Sequence, residues 1–211
     1  MIRNIVFGGC SYTWGQSLHL FDDSDVDPSS PGTHGFDENS VRSWDYQKII
    51  DRRFATIVSN YFGRKSKVDI NNGGSTWSIH AHVLKAIDTL TDLVIIQTTN
   101  FTRNMTDGRN LSMETQVSMY KEILDYCNEK NIPIRFLHWD WPEDMIEIPS
   151  EIKNISMKFD GKYSFFDMTL KDEYIVDSKD RHFNFRTHKI IANRIIDNIE
   201  ELGLLKQPKY D

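Results

Sequence analysis

Short apolar runs alternate with longer segments whose apolar residues recur at the helical period. This alternation constrains the fold more than any other feature of the chain. The strand-like runs are Ile2 to Phe7, Lys67 to Ile70, Leu93 to Gln97, Ile134 to His138 and Ser164 to Asp167. Between and after them lie four helix-like stripes: Ile50, Phe54, Ile57, Val58 and Tyr61; Ile79, Val83, Leu84, Ile87 and Leu90; Val117, Tyr120, Leu124 and Cys127; and Ile191, Ile195, Ile199 and Leu202. Pro133 follows the third stripe closely and fits a stop. Strands separated by amphipathic helices predict an α/β domain with a parallel sheet. At 211 residues the expectation is one domain over residues 1–205, with an insertion at about 17–43 and a short polar tail at 206–211.

Charge excludes some functions. Lys and Arg total 25 against 31 Asp and Glu, a formal balance of −6, which argues against a general nucleic-acid binder. The acids concentrate between Ser17 and Val41, where Asp22, Asp23, Asp25, Asp27, Asp37 and Glu38 occur with no Lys or Arg. The run Asp23 to Asp27 looks like the start of a calcium loop. It then has Pro28 where such a loop needs Gly and His34 where it needs Glu, so it reads as a solvated acidic segment. Cys10 and Cys127 form no disulfide framework, and no secretory signal or run of transmembrane length is visible. The expectation is a soluble protein made in the cytosol.

The segment Phe7-Gly8-Gly9-Cys10-Ser11-Tyr12-Thr13-Trp14-Gly15 leaves the first strand through two glycines. The turn presents Ser11 at the strand's carboxyl end, where open α/β sheets bind ligands. Three other polar segments fall at comparable places: Asn71-Asn72-Gly73-Gly74-Ser75, Gln97-Thr98-Thr99-Asn100, and Asp180-Arg181-His182-Phe183-Asn184 before the last helix. In a parallel sheet these ends share one edge, so the loops can converge. Acyl transfer assigns them roles. Ser11 is a nucleophile only if a base takes its proton, and His182 is that candidate base. Asp180, with Asp177 as an alternative, can hold the imidazole in its productive tautomer. The Ser11 and Gly74 N–H groups and the Asn100 amide are candidate oxyanion donors. His188, in the first turn of the last helix, is a second candidate base.

These four blocks, in this order over almost the whole chain, resemble the SGNH, or GDSL-like, hydrolases. Gly9-Cys10-Ser11, followed by Thr13 and Gly15, stands where that family usually has Gly-Asp-Ser. Gly74, or Gly73 beside it, matches the second block. Thr98-Thr99-Asn100-Phe101 stands where Gly-x-Asn-Asp is usual. Asp180 two residues before His182 matches the fourth, with Asn184 and His188 beyond. Cys in place of the first-block Asp also occurs in looser relatives, including proteins associated with bacteriophages, so the resemblance allows virion association.

The resemblance implies a three-layer α/β/α, flavodoxin-like fold with five parallel strands. It also implies a serine esterase acting through an acyl-enzyme on Ser11, with no metal or organic cofactor. The substrate class is a small-molecule or carbohydrate ester, O-acetylated sugars and short acyl esters first. Trp14, Trp77, Trp139 and Trp141 lie in or beside the site loops and can stack on a sugar or hold an acyl chain, while Arg103 can meet an anionic group. Acyl transfer to a sugar hydroxyl uses the same residues. A non-catalytic glycan-binding or virion-associated module is the reading from another class.

Overall fold

The computed structural model describes residues 2–10, 13, 50–68, 75–101, 111–141, 146–159, 161–175 and 183–208, without the side chains of Phe166 and Thr169. The acidic insertion at 17–43 lies outside the described residues.

The sheet has the order β2-β1-β3-β4, all parallel: β1 is Asn4–Gly8, β2 is Lys65–Val68, β3 is Thr91–Thr98 and β4 is Ile134–His138. The helices are α1 (Phe54–Tyr61), α2 (Thr76–Ala86), α3 (Met113–Glu129), the single turn α4 (Ser150–Lys153) and α5 (Phe185–Glu201). β1 and β3 are buried on both sides, as a parallel sheet requires, and the two-residue side-chain period sorts them onto opposite faces. Ile5, Phe7, Leu93 and Ile95 join Phe54 and Val58 of α1 and Ile191, Ile195 and Ile199 of α5 in one core. Val6, Val94, Ile96 and Phe136 join Ile79 and Val83 of α2 and Val117, Tyr120, Leu124 and Cys127 of α3 in the other. Cys10 belongs to the first core and Cys127 to the second, and both are free thiols.

The helices begin where capping chemistry allows. Ser75, Ser112 and Asn184 accept from the backbone N–H groups of Ser78, Thr115 and Thr187 at the starts of α2, α3 and α5. Gly63 and Gly203, both at positive φ, follow α1 and α5 and let the chain turn out of each helix.

Among the described residues the sheet has four strands, not the five expected. Ser164 to Asp167 is not a strand. Ser164 makes an isolated parallel bridge to His138, and the chain then closes into a 3-10 helix over Phe166–Leu170. The run is short and polar at both ends, so it lacks the apolar length of a fully buried strand. The open edge of β4 is instead covered by this bridge and a second one between Phe136 and Ser156. β2 begins two residues before the expected Lys67, and the end of that expectation, 69–70, lies outside the described residues. Among the described residues no helix is long and apolar enough to cross a membrane.

Candidate active site

The strand order changes direction between β1 and β3, and a doubly wound sheet opens its ligand crevice at that place, beyond the strands' carboxyl ends. β1 delivers Gly8, Gly9 and Cys10 there, and β3 delivers Gln97 through Asn100.

Close approach forces both glycines. A Cβ on Gly8 would stand 2.5 Å from Val83 Cγ2 and 3.0 Å from Ile79 Cγ2, because α2 packs directly on the strand end. A Cβ on Gly9 would stand 1.9 Å from Thr13 Oγ1. The Thr13 N–H donates to the Cys10 carbonyl at 2.9 Å, so residues 10 and 13 are the two ends of a tight turn. Ser11 lies between them in sequence and is outside the described residues. A clip from β3 holds the turn. Thr13 Oγ1 donates to Gln97 Oε1 at 2.6 Å, and Gln97 Nε2 donates to Cys10 Sγ at 3.0 Å. All three side chains are buried, so each polar atom depends on these bonds. Gln97 was legible only as part of a polar strand end; its grip on the serine turn is a spatial fact.

The third block is tethered from the other face. The Thr99 N–H donates to the Tyr120 hydroxyl at 3.2 Å, and Thr76 Oγ1 lies 3.3 Å from that hydroxyl and 3.0 Å from Gln116 Oε1. Gln116 Nε2 donates to the carbonyls of Phe101 (2.9 Å) and Leu111 (3.2 Å). One proton arrangement satisfies every member: Thr99 N–H to Tyr120, Tyr120 O–H to Thr76, Thr76 O–H to Gln116, Gln116 N–H to Phe101. Burial raises the Tyr120 hydroxyl to about 12, which keeps its proton available to donate. The start of α2, one residue past Ser75, is thereby joined to the block carrying Asn100. Asn100 itself, half-buried, donates through Nδ2 to Asp140 Oδ2 at 2.7 Å.

Two buried histidines near this edge are braces rather than bases. Ser156 Oγ donates to the Ile152 carbonyl at 2.7 Å, so His138 Nε2, 2.7 Å away, is the donor to that oxygen. His138 Nδ1 then accepts from Thr98 Oγ1 at 3.2 Å, and burial lowers its pKa to about 3. His188 falls in the first turn of α5, as expected, but not as a second base. Its Nδ1 lone pair accepts the Phe54 N–H at 3.1 Å, which puts the ring proton on Nε2 and leaves no lone pair for general-base work.

Asp180, His182, Gly73, Gly74, Trp14 and Arg103 lie outside the described residues, as does the alternative Asp177. The chain on either side of the fourth block is described. Ile175 and Phe183 form an antiparallel bridge, and Asn184 Nδ2 donates to the carbonyls of Glu173 at 2.8 Å and Ile175 at 3.2 Å. Rings connect this stem to the serine turn: Phe183 meets His188 edge-on at 6.2 Å, His188 stacks on Phe54 at 5.6 Å, and Phe54 meets Phe7 at 6.2 Å. Cys10 and Phe183, the neighbours of Ser11 and His182, belong to one core cluster.

The tryptophans divide. Trp77 is 44% exposed on α2 and open to solvent. Trp139 is 8% exposed and belongs to the core cluster of α1 and α5. Trp141 is likewise core, with its ring 4.9 Å from Phe101 and its Nε1 donating to the Ile146 carbonyl. No family model matches the chain, and no curated protein matches it.

Proposed function

We propose that the chain is a serine esterase of the SGNH, or GDSL-like, kind, on a flavodoxin-like three-layer fold. One observation carries the reading: described residues flanking all four blocks are tied to one edge of the sheet. Gln97 joins the first block to the third, Tyr120 joins the start of α2 to the third, and the Phe7–Phe54–His188–Phe183 rings join the first to the fourth.

The chemistry follows in two steps. Ser11 Oγ attacks the ester carbonyl while His182 takes its proton, with Asp180 orienting the imidazole. The oxyanion is met by the Ser11 and Gly74 N–H groups and the Asn100 amide. The alcohol leaves with the proton returned by His182, and water, deprotonated by the same imidazole, releases the acid and restores Ser11. Neutral O-acetylated sugars and short acyl esters suit a chain whose acidic insertion, 17–43, follows the nucleophile, since like charges would repel a strongly anionic substrate.

The test is hydrolysis of p-nitrophenyl acetate together with labelling by a fluorophosphonate probe. The unmutated protein is expected to turn over and to be labelled at Ser11, and Ser11→Ala to lose up to roughly a millionfold in kcat. A folded protein with neither turnover nor labelling overturns the esterase. It leaves the non-catalytic module, in which the Asn100–Asp140 pair is a loop brace and nothing more.

A further inference from the structure

We propose that the chain has an anion site beyond the open edge of β4, built to hold a phosphate group, either free or carried as a monoester. The site is a cavity of about 410 Å³ between the segment that follows α4 and the C-terminal half of α5. Lys153, Lys158 and Arg194 line it, together with Tyr163, Asn198 and the carboxylate of Glu201. None of the four blocks contributes to its lining, so the inference stands apart from the esterase reading.

The fold gathers these cations without giving them counter-charges. Ser156 bridges to Phe136 of β4, which holds the 153–158 segment against the sheet edge. On α5, Arg194, Asn198 and Glu201 recur at intervals of four and three, so they share one face. Arg194 Nε donates to the Lys158 carbonyl at 3.1 Å. The Lys158 and Lys153 ammonium groups lie 4.8 and 5.7 Å from the centre of the Tyr163 ring. Like charges brought together this way repel. Elsewhere lysines meet carboxylates, Lys67 with Asp88, Lys121 with Glu151 and Lys162 with Asp167. Among the described residues no carboxylate pairs with Lys153, Lys158 or Arg194. Behind them stands a fourth cation. Arg135 of β4 is 8% exposed, and its Nε donates to the neutral Asn198 Oδ1 at 2.9 Å, which joins the guanidinium to the cavity wall. Burial disfavours that charge and lowers the pKa of Arg135.

Charge sets the ligand class. The lining cations outnumber the carboxylate three to one, an excess of two positive charges in a chain whose own balance is −6. A phosphate monoester carries about −1.5 to −2 at neutral pH and offers several accepting oxygens. A carboxylate ligand would leave one positive charge unmet. The guanidinium fork of Arg194 suits paired phosphate oxygens, and the two lysines act as point charges.

The test is calorimetric titration of the full chain at low salt with inorganic phosphate, glucose 6-phosphate and, as the uncharged control, glucose. Phosphate is expected to bind and glucose not to. Tighter binding of glucose 6-phosphate identifies a monoester as the ligand, and equal or weaker binding identifies free phosphate. Lys153→Gln and Lys158→Gln alter exposed side chains, so the fold should persist, which circular dichroism melting verifies. Each is expected to weaken binding by roughly 10-fold, the scale of one charge-assisted hydrogen bond. Lys65→Gln removes the same charge from β2 at the opposite edge of the sheet, and is expected to change affinity by less than about twofold because that distance is screened. An equal loss in Lys65→Gln marks diffuse attraction and overturns the site. So does affinity that survives the Lys153→Gln/Lys158→Gln double substitution, or glucose binding as tightly as glucose 6-phosphate. Absence of phosphate binding by the folded, unmutated protein at millimolar concentrations overturns it outright.

Discussion

At the amino ends of the strands Asp92 meets two arginines, Arg3 and Arg64 (the latter at 2.6 Å), and Asp88 meets Lys67 at 2.7 Å. At the carboxyl ends β3 and β4 finish in Gln97, Thr98 and His138, which are buried and bonded mainly to uncharged partners. Lys67, then Asn4 and the Leu90 N–H, hold the Asp88 carboxyl well below the ordinary carboxylate range. Its side chain nevertheless remains nearly half exposed, where water and salt screen the pairing. The carboxyl-end groups have no solvent to fall back on, so each lost partner leaves a desolvated polar atom. The exposed pair at one end keeps water as an alternative partner, whereas a bond lost at the other goes uncompensated. The proposed chemistry sits at the second end.

Three perturbations can break or sharpen that contrast. The largest is acidification. His138 has a folded pKa of about 3 against an ordinary 6.5, so between those values the unfolded chain holds one more proton. Stability therefore falls as pH falls from 6.5 toward 3. Urea unfolding of the unmutated protein and of His138→Gln should diverge by about 1.4 kcal/mol per pH unit in that window, or about 3 kcal/mol between pH 6.5 and 4.5. Equal slopes in the two proteins would remove His138 from the contrast.

Tyr120→Phe comes next. It strips the acceptor from the Thr99 N–H and the bridge to Thr76, at an expected 1–3 kcal/mol, roughly, in the same unfolding measurement. That difference should be insensitive to salt; a difference that disappears in 1 M NaCl would contradict the uncharged network. Lys67→Met, at the amino end, should cost the least, about 1 kcal/mol or below, and most of that should be lost in 1 M NaCl. A larger, salt-independent loss there would make the two ends alike.

The architecture was largely legible because periodicity is a local signal. β4 is Ile134–His138, the same bounds that the short strand-like run predicts, and Val117, Tyr120, Leu124 and Cys127 are all buried on α3. The pattern failed at Ser164 to Asp167, where two phenylalanines between polar residues look like a strand but make one bridge and a 3-10 helix. At the helix ends the stripes ran too far. Leu90 falls beyond α2 in the turn before β3, and Leu202 is the exposed cap of α5. The candidate site was legible as residue types at strand ends, which is what singles out Ser11 and Asn100 as candidates. Its supporting bonds were not. Gln97 reaches Cys10 across 87 positions, Tyr120 reaches the Thr99 N–H across 21, and Asp140 reaches Asn100 across 40. Such pairings depend on register, and no local pattern encodes them.

The strand order also has a consequence during synthesis. β1 carries the glycine turn and is made first, yet both of its hydrogen-bonding neighbours come later, and Asn4 meets Thr91 only after 87 further positions. At roughly 5–20 residues per second, that separation is a wait of about 4–17 s during which Ile5, Val6 and Phe7 have no completed sheet to enter. The segment that carries the glycine turn thus waits for β3 before it is enclosed on both sides, and any chaperone dependence should track the emergence of β3 rather than the length of the nascent chain.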